Sequence, residues 1–397
     1  MSAFSGIHIA SSALRAHQQA LDVINHNVAN ANTPGYRRQQ VVYQNGVAYP
    51  TPSLNGGWGP GQFGMGVQVA SIKRFGTDFL DGRYRQELAQ SGKYDVQRNI
   101  LNQVESLLNE TGKDSLVSKM DAFFTGWQAL SADPANTALR GDLRGKAEDL
   151  VAAFNSRAQQ LRSTRAEQDV SLKQSVDEVN DTASQIARLN GEIALVVGRD
   201  EQPNDLLDQR DRLADRLAEL TGATISNQPD GTVMASINGH ALIVGTSTFK
   251  LQTVVDATND NLLAVQWQTP TPLAYNGTTG QIAGILDARD RIVKGQLDGL
   301  NTLAQTLITS VNTQHNAGYR LNSATTGGNF FEPASDPSGQ YALSIQLNAN
   351  IVASVSNIAV ASNPNAPGDG NNGVAMANLQ RALTMSGGTA TFGDAYA

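Results

Sequence analysis

The sequence predicts a mainly α-helical protein with a smaller β part (α+β): a long helical bundle or coiled-coil core carrying an inserted β-rich domain. Three observations predict it. Apolar residues recur at three- and four-residue steps through the first thirty positions, from about Thr77 to Gly198, and again from Gly280 to Val311. Between the second and third of these stretches, Asn238-Gly239 separates two strand-like runs, a strong short-range hairpin signal. The 397 residues are 40% hydrophobic but only 6% aromatic, which suits long, thin helical packing better than one thick core.

The N-terminal helix has the clearest pattern. Positions 3, 7, 10, 14, 17, 21, 24 and 28 follow the alternating four-three spacing of a coiled-coil seam. They are Ala3, Ile7, Ala10, Leu14, His17, Leu21, Ile24 and Val28, apolar except for His17. An isolated helix of this length is marginal in water, so the stripe needs a partner. That partner is either the rest of the same domain or a neighbouring subunit. The helix ends at Asn27-Val28-Ala29-Asn30, followed by Thr33-Pro34-Gly35-Tyr36. Asn tolerates a left-handed cap, Pro forbids continuation and Gly permits the turn. Residues 1–35 thus form a seam helix and turn.

Residues 36–75 read as an extended segment, with strands at Gln39–Tyr43 and Val67–Ile72 around a Gly-rich stretch from Asn55 to Gly66. The formal G-x-G-x-x-G at Gly59–Gly64 contains Pro60 and is followed by a strand. A dinucleotide cradle needs a helix there, so this run reads as a loop.

Residues 76–222 read as the first part of the helical bundle. Phe79, Leu80, Tyr84, Leu88, Ile100, Leu101, Val104 and Leu108 mark one helix; Leu116, Met120, Phe123, Trp127 and Leu130 mark a second, broken by Asp133-Pro134. From Asn136 to about Gly198 one apolar face runs through Leu143, Leu150, Phe154, Leu161, Leu172, Val176, Val179, Ile186, Leu189, Ile193 and Val197. Unbroken, this is a rod of roughly 90 Å. A further helix from Leu206 to Leu220 closes at Gly222. Its charges read as a solvated face, with Asp208 and Arg212 as i, i+4 neighbours. The β-rich domain is assigned to 223–280, a helix returning to the bundle to 281–318, a loop or β segment to 319–370, and the start of a C-terminal return to 371–397.

Three strings carry a family resemblance. Asn27-Val28-Ala29-Asn30 with Thr33-Pro34-Gly35-Tyr36 resembles the N-terminal signature of the flagellar rod, hook and hook-associated axial proteins, with His26 where a second Asn is usual. Asn204-Asp205-Leu206-Leu207-Asp208-Gln209-Arg210-Asp211 and Val311–Gly318 resemble segments of the hook-associated members at the hook–filament junction. The resemblance implies a structural subunit that self-assembles into the axial tube and adapts hook to filament. It implies export through the flagellar type III apparatus to an extracellular position on the flagellum. The implied partners are further copies in a homo-oligomer, the hook protein, the next hook-associated protein and an export chaperone. Ile7, Leu14, Leu21, Ile24 and Val28 would form the assembly seam, and Asn27, Asn30, Thr33, Pro34, Gly35 and Tyr36 the turn that ends it. Family members continue past a string like Phe392-Gly393-Asp394-Ala395-Tyr396 into helices that pair with the N-terminal seam. On that ground residues 1–30 are expected to be mobile or bound to another chain. A hook or distal rod protein is the alternative within the family; a secreted coiled-coil adhesin or effector is the alternative outside it.

Composition and motif content point away from other classes. With 29 basic and 36 acidic residues the net charge is −7, and no basic cluster exists to neutralise phosphates, so no nucleic acid partner is expected. No apolar stretch approaches the roughly 20 residues of a membrane span. There is no basic, apolar leader at the N-terminus, and the absence of Cys removes thiol chemistry and cysteine metal sites. His8, His17 and His26 lie nine residues apart, so successive rings on one helix face opposite ways. No zincin, Walker or nucleophile-elbow motif occurs. The expectation is a non-enzyme with no catalytic residue, cofactor or metal.

Overall fold

The computed structural model describes residues 3–47, 64–108 and 115–396; the Gly59–Gly64 run lies almost wholly outside them. The fold is mainly α with small antiparallel sheets. Helices α1 (Ala3–Ala29), α2 (Asp78–Leu108), α3 (Leu116–Ala132), α4 (Thr137–Val197) and α5 (Asn204–Thr221) hold most of the N-terminal half, with hairpin strands β1 (Gln39–Asn45) and β2 (Val67–Arg74) after α1. Strands β3 (Thr224–Asn227), β4 (Val233–Ile237), β5 (His240–Val244) and β6 (Ser247–Thr248) form one sheet in that order. Strands β7 (Leu251–Asp256), β8 (Leu262–Trp267) and β9 (Leu273–Ala274) form another. Helices α6 (Gly280–Asp287) and α7 (Lys294–Ala317) follow, then short elements.

Local chemistry accounts for the boundaries. Asn136 accepts the backbone N–H groups of Ala138 (3.0 Å) and Leu139 (3.3 Å), capping α4 just beyond Pro134. Gly222 closes α5 at φ +70°, its N–H bonded to the Ala218 carbonyl at 2.7 Å. Asn238 (φ +46°) and Gly239 (φ +89°) make the left-handed pair of a type I′ turn between β4 and β5.

The chain forms two compact units. One comprises Met1–Val96 with Ser171–Gly284, the other Gln97–Val170 with Ile285–Ala397. This division differs from the segment boundaries read in the sequence. The 76–222 bundle is shared between the units, and the 223–280 β-rich region does not stand apart but belongs to the first. The reason is physical: a helix carries its apolar stripe without interruption, so α4 shows no break where its neighbours change.

In the first unit, two asparagines tie α4 to both sheets. Buried Asn190 donates to the carbonyls of Val233 (2.9 Å) and Gly245 (2.7 Å) and accepts the Val233 N–H at 3.0 Å. Asn180 pairs with the N–H (2.9 Å) and carbonyl (2.8 Å) of Leu251. Each amide stands in for a strand neighbour and satisfies edge groups that burial would leave orphaned.

In the second unit, Phe123 and Trp127 of α3 meet Phe330 and Phe331 in a buried aromatic cluster that Phe124 joins through Phe123; Leu143, Leu150 and Phe154 of α4 and Leu303 and Leu307 of α7 are buried in the same unit. Buried Arg140 donates to the carbonyls of Pro134 (2.7 Å), Ile358 (2.8 Å) and Val355 (3.1 Å), and burial brings its pKa down to about 10. The apolar pattern reads 281–318 as one helix, but a π-helical turn at Ala288–Val293 interrupts it. Within that turn buried Arg289 meets Asp290 (2.6 and 2.8 Å) and Asp169 in an ion cluster. Residues 319–370 also hold short helices, Tyr341–Ser344 and Ala349–Ala353, where a loop or small β segment is read from the Asn/Ser/Gly content.

Candidate assembly surface

Helix α1 lies on the β1–β2 hairpin, and the face it buries is not the heptad stripe. Ala16 and Val23 are buried, with Ala13, Ala20 and Asn27 half-buried beside them. At 100° per residue this face is roughly a third of a turn from the seam. Ile7, Leu14, Leu21, Ile24 and Val28 remain on the surface, from 53% exposed at Ile24 to 71% at Val28. Among the described residues the helix therefore has an intrachain partner, one of the two the sequence leaves open, but it meets that partner through a face other than the stripe, and its large apolar side chains are left uncovered. Tyr43 of β1, also exposed, sits against His17 with ring centroids 6.1 Å apart and continues the seam onto the hairpin.

The turn is built around Asn27. Its Nδ2 donates to the Gln39 carbonyl at 2.8 Å, and its Oδ1 accepts the Gln39 N–H and the Tyr36 hydroxyl, each at 2.8 Å. Because Tyr36 spends its proton on Asn27, its oxygen accepts from His26 Nδ1 at 3.0 Å, and the two rings meet edge-on at 5.4 Å. His26 is thus part of the network, although beside the cap the change from Asn reads as minor. Asn30 Nδ2 returns to the His26 carbonyl at 3.0 Å, and Thr33 Oγ1 donates to Asn30 Oδ1 at 3.2 Å. Pro34 and Gly35 make the exposed bend; Gly35 has φ +77°, and a Cβ there would come within 2.3 Å of Arg212 Cγ. We expect Asn27→Ala to lower the protection of the Gln39 amide and to cost on the order of 2 kcal/mol, since two backbone groups lose their partner. Hydrogen exchange at Gln39 with equilibrium unfolding measures both; unchanged exchange there would remove Asn27 from this role.

A charge cluster follows that sequence reading missed. Arg74 reaches Asp208 at 2.7 Å and also Asp211. Arg37 holds Asp81 at 2.6 Å and Asp211 at 3.5 Å, and its backbone N–H donates to Asp208 at 3.2 Å. Arg85 binds Asp215 at 2.7 Å and Asp211 at 3.2 Å. The α5 charges are therefore not a solvated face: Asp208 and Arg210 are buried, and Asp208 pairs with Arg74 rather than with Arg212. Burial raises the Asp208 carboxyl above its ordinary pKa even with the Arg37 N–H and Arg74 beside it. The only signal in the sequence is the density of Asp and Arg in 204–215.

Comparison with known proteins decides the family. The model for the helical domain of flagellar hook-associated protein FlgK matches residues 101–331, and the model for flagella basal body rod proteins matches 7–37. The chain belongs to the flagellar hook-associated protein 1 family. It is 32% identical to flagellar hook-associated protein 1 of Escherichia coli over 82% of this chain and 59% of that one. It is 31% identical to the Bacillus subtilis protein of the same name over 100% of this chain and 84% of that one. The chain thus spans about three-fifths of the length of the Escherichia coli relative. The flagellar hook junction protein FlgK from Burkholderia pseudomallei shares the fold, with TM-score 0.70 at 16% identity over 81% of this chain and 94% of that one. The rod-protein match at 7–37 coincides with the seam helix and turn, and the hook-associated match begins in α2 and ends at Phe331.

Proposed function

We propose that this member of the hook-associated protein 1 family is a structural, non-catalytic subunit of the bacterial flagellum at the hook–filament junction. The observation that carries the reading is the uncovered seam of α1, a three-heptad apolar stripe from Ile7 to Val28 on a helix whose end is fixed by the Asn27 network. A stripe of that width is suited to burial between helices of neighbouring copies. Homo-oligomerisation along the axis, seating on the hook protein and presentation of a surface to the next hook-associated protein follow from this. Export through the flagellar type III apparatus with a dedicated chaperone, to a position outside the cell, belongs to the same reading. What favours the junction over hook or rod is the hook-associated helical-domain match across 101–331, whereas the rod-type match is confined to 7–37. Among the described residues no cluster of three or more His, Asp or Glu side chains is placed to hold a metal ion, and no helix is long and apolar enough to cross a membrane.

Deleting the gene, imaging the cells by electron microscopy and assaying flagellin in the medium tests the reading. Bare hooks with flagellin lost to the medium are expected. Cells without hooks would move the subunit down to rod or hook, and normal flagella would end the proposal.

A further inference from the structure

We infer that Asp211 on α5 is a positioning residue: with Arg37 and Arg74 it latches the arm formed by α1 and the β1–β2 hairpin, so that charge rather than an apolar core sets the direction of the seam. The arm contains very little buried apolar material. Among its described residues only Ala16, Val23 and Val41 are buried hydrophobics, and those of α1 face its own hairpin. What joins the arm to α5 is polar. Arg74, at the end of β2, meets Asp208 and Asp211; Arg37, just before β1, meets Asp211 by its guanidinium and Asp208 by its backbone N–H. Asn204 Nδ2 donates to the Ile72 carbonyl at 2.9 Å, and Gly35 rests on the Arg212 stem.

Asp211 is the hub, because it alone touches all three arginines, Arg37, Arg74 and Arg85. Its side chain is 14% exposed, so its contacts are only partly screened by water. Arg85 belongs to α2 and ties the hub to Asp215 on the same helix, not to the arm. The geometry thus separates two kinds of arginine around one carboxylate. Loss of Arg74 leaves Asp208 and Asp211 facing the arm with a single guanidinium between them, and loss of Arg85 leaves the arm contacts in place. A fixed arm presents Ile7, Leu14, Leu21 and Val28 in one direction before any partner arrives, which lowers the ordering cost of assembly. That last consequence rests on the proposed function; the latch itself does not.

The test is amide exchange on the full chain as a monomer, comparing wild type with Arg74→Gln, Asp211→Asn and Arg85→Gln. Arg74→Gln and Asp211→Asn are each expected to speed exchange across β1 and β2 about tenfold, the scale of losing one charge-assisted hydrogen bond. Arg85→Gln should leave the arm near wild type, and β3–β5 should be unaffected in all three. The latch is overturned if Arg74→Gln or Asp211→Asn exchanges like wild type, if β3–β5 speed up equally with the arm, or if the wild-type arm already exchanges as a free peptide. None of these outcomes depends on the gene-deletion phenotype, so a failed latch and a failed junction reading are distinguishable.

Discussion

Cells carrying Leu21→Asp are expected to build hooks without filaments and to shed flagellin, while the purified variant unfolds within about 0.5 kcal/mol of wild type. The contrast follows from where Leu21 stands. In the single chain its side chain is 59% exposed on the face of α1 turned away from Ala16 and Val23, so a carboxylate there replaces no buried contact. In the proposed seam the same position would be covered by a neighbouring helix. Losing the Leu contact removes about 2 kcal/mol at each such site, and an unpaired carboxylate in an apolar seam adds a larger penalty. In the proposed assembly the effect would repeat at every copy. Gln19→Asp is the control, because Gln19 is exposed on the same helix but lies off both the seam and the hairpin face. The informative readout pairs filament counts with circular dichroism of the monomer. Normal filaments with Leu21→Asp would dismiss the seam, and a collapsed monomer would show that Leu21 has an intramolecular role the exposure does not reveal.

The helix α1 and its apolar stripe are legible because a four-three repeat over two dozen residues is redundant: any one of Ile7, Leu14, Leu21, Ile24 or Val28 could change and the stripe would still be read. The same redundancy made α4 legible over sixty residues, and the need for positive φ at Asn238 and Gly239 made the β4–β5 hairpin legible. The features that escaped have no repeat. The hairpin-facing side of α1 is written in alanines, which are common on any helix face. Arg37, Arg74 and Arg85 find Asp208, Asp211 and Asp215 across more than a hundred residues, and local charge density gives no hint of such pairing. The π turn at Ala288–Val293 adds one residue to the apolar stripe, a shift that mixed three- and four-residue spacing absorbs without a break. His315 gives no signal of its own in the sequence, since one buried imidazole leaves no pattern around itself.

That histidine makes the second unit acid-sensitive. His315, fully buried at the end of α7, donates from Nδ1 to the Gly328 carbonyl at 2.7 Å and accepts the Ala359 N–H on Nε2 at 2.9 Å. The Nε2 contact needs a lone pair, so the neutral Nδ1–H tautomer is the one that fits. Trp127 and Phe330 wall the ring, and Arg320 and Arg140 are the charges that act on it, both opposing a proton. Burial, the largest cause, lowers its pKa from 6.5 to about 4. Between those two values the unfolded chain binds a proton that the folded chain refuses. Stability is therefore full above pH 6.5, falls as the pH drops through this window and levels off below about 4, for a total loss of about 3 kcal/mol. Urea unfolding at several pH values, read through amide exchange of α3 and α7, measures the slope. His315→Gln removes the titrating group while retaining one donor and one acceptor. Its stability at pH 7 should be lower than wild type, but the difference between the two proteins should shrink steadily from pH 6.5 to 4. Parallel pH profiles would mean that the proton taken up on acid unfolding goes elsewhere. A converging pair assigns the acid weakness of the unit to the bond from Ala359, because protonation of Nε2 is the one event that both breaks that bond and buries a charge.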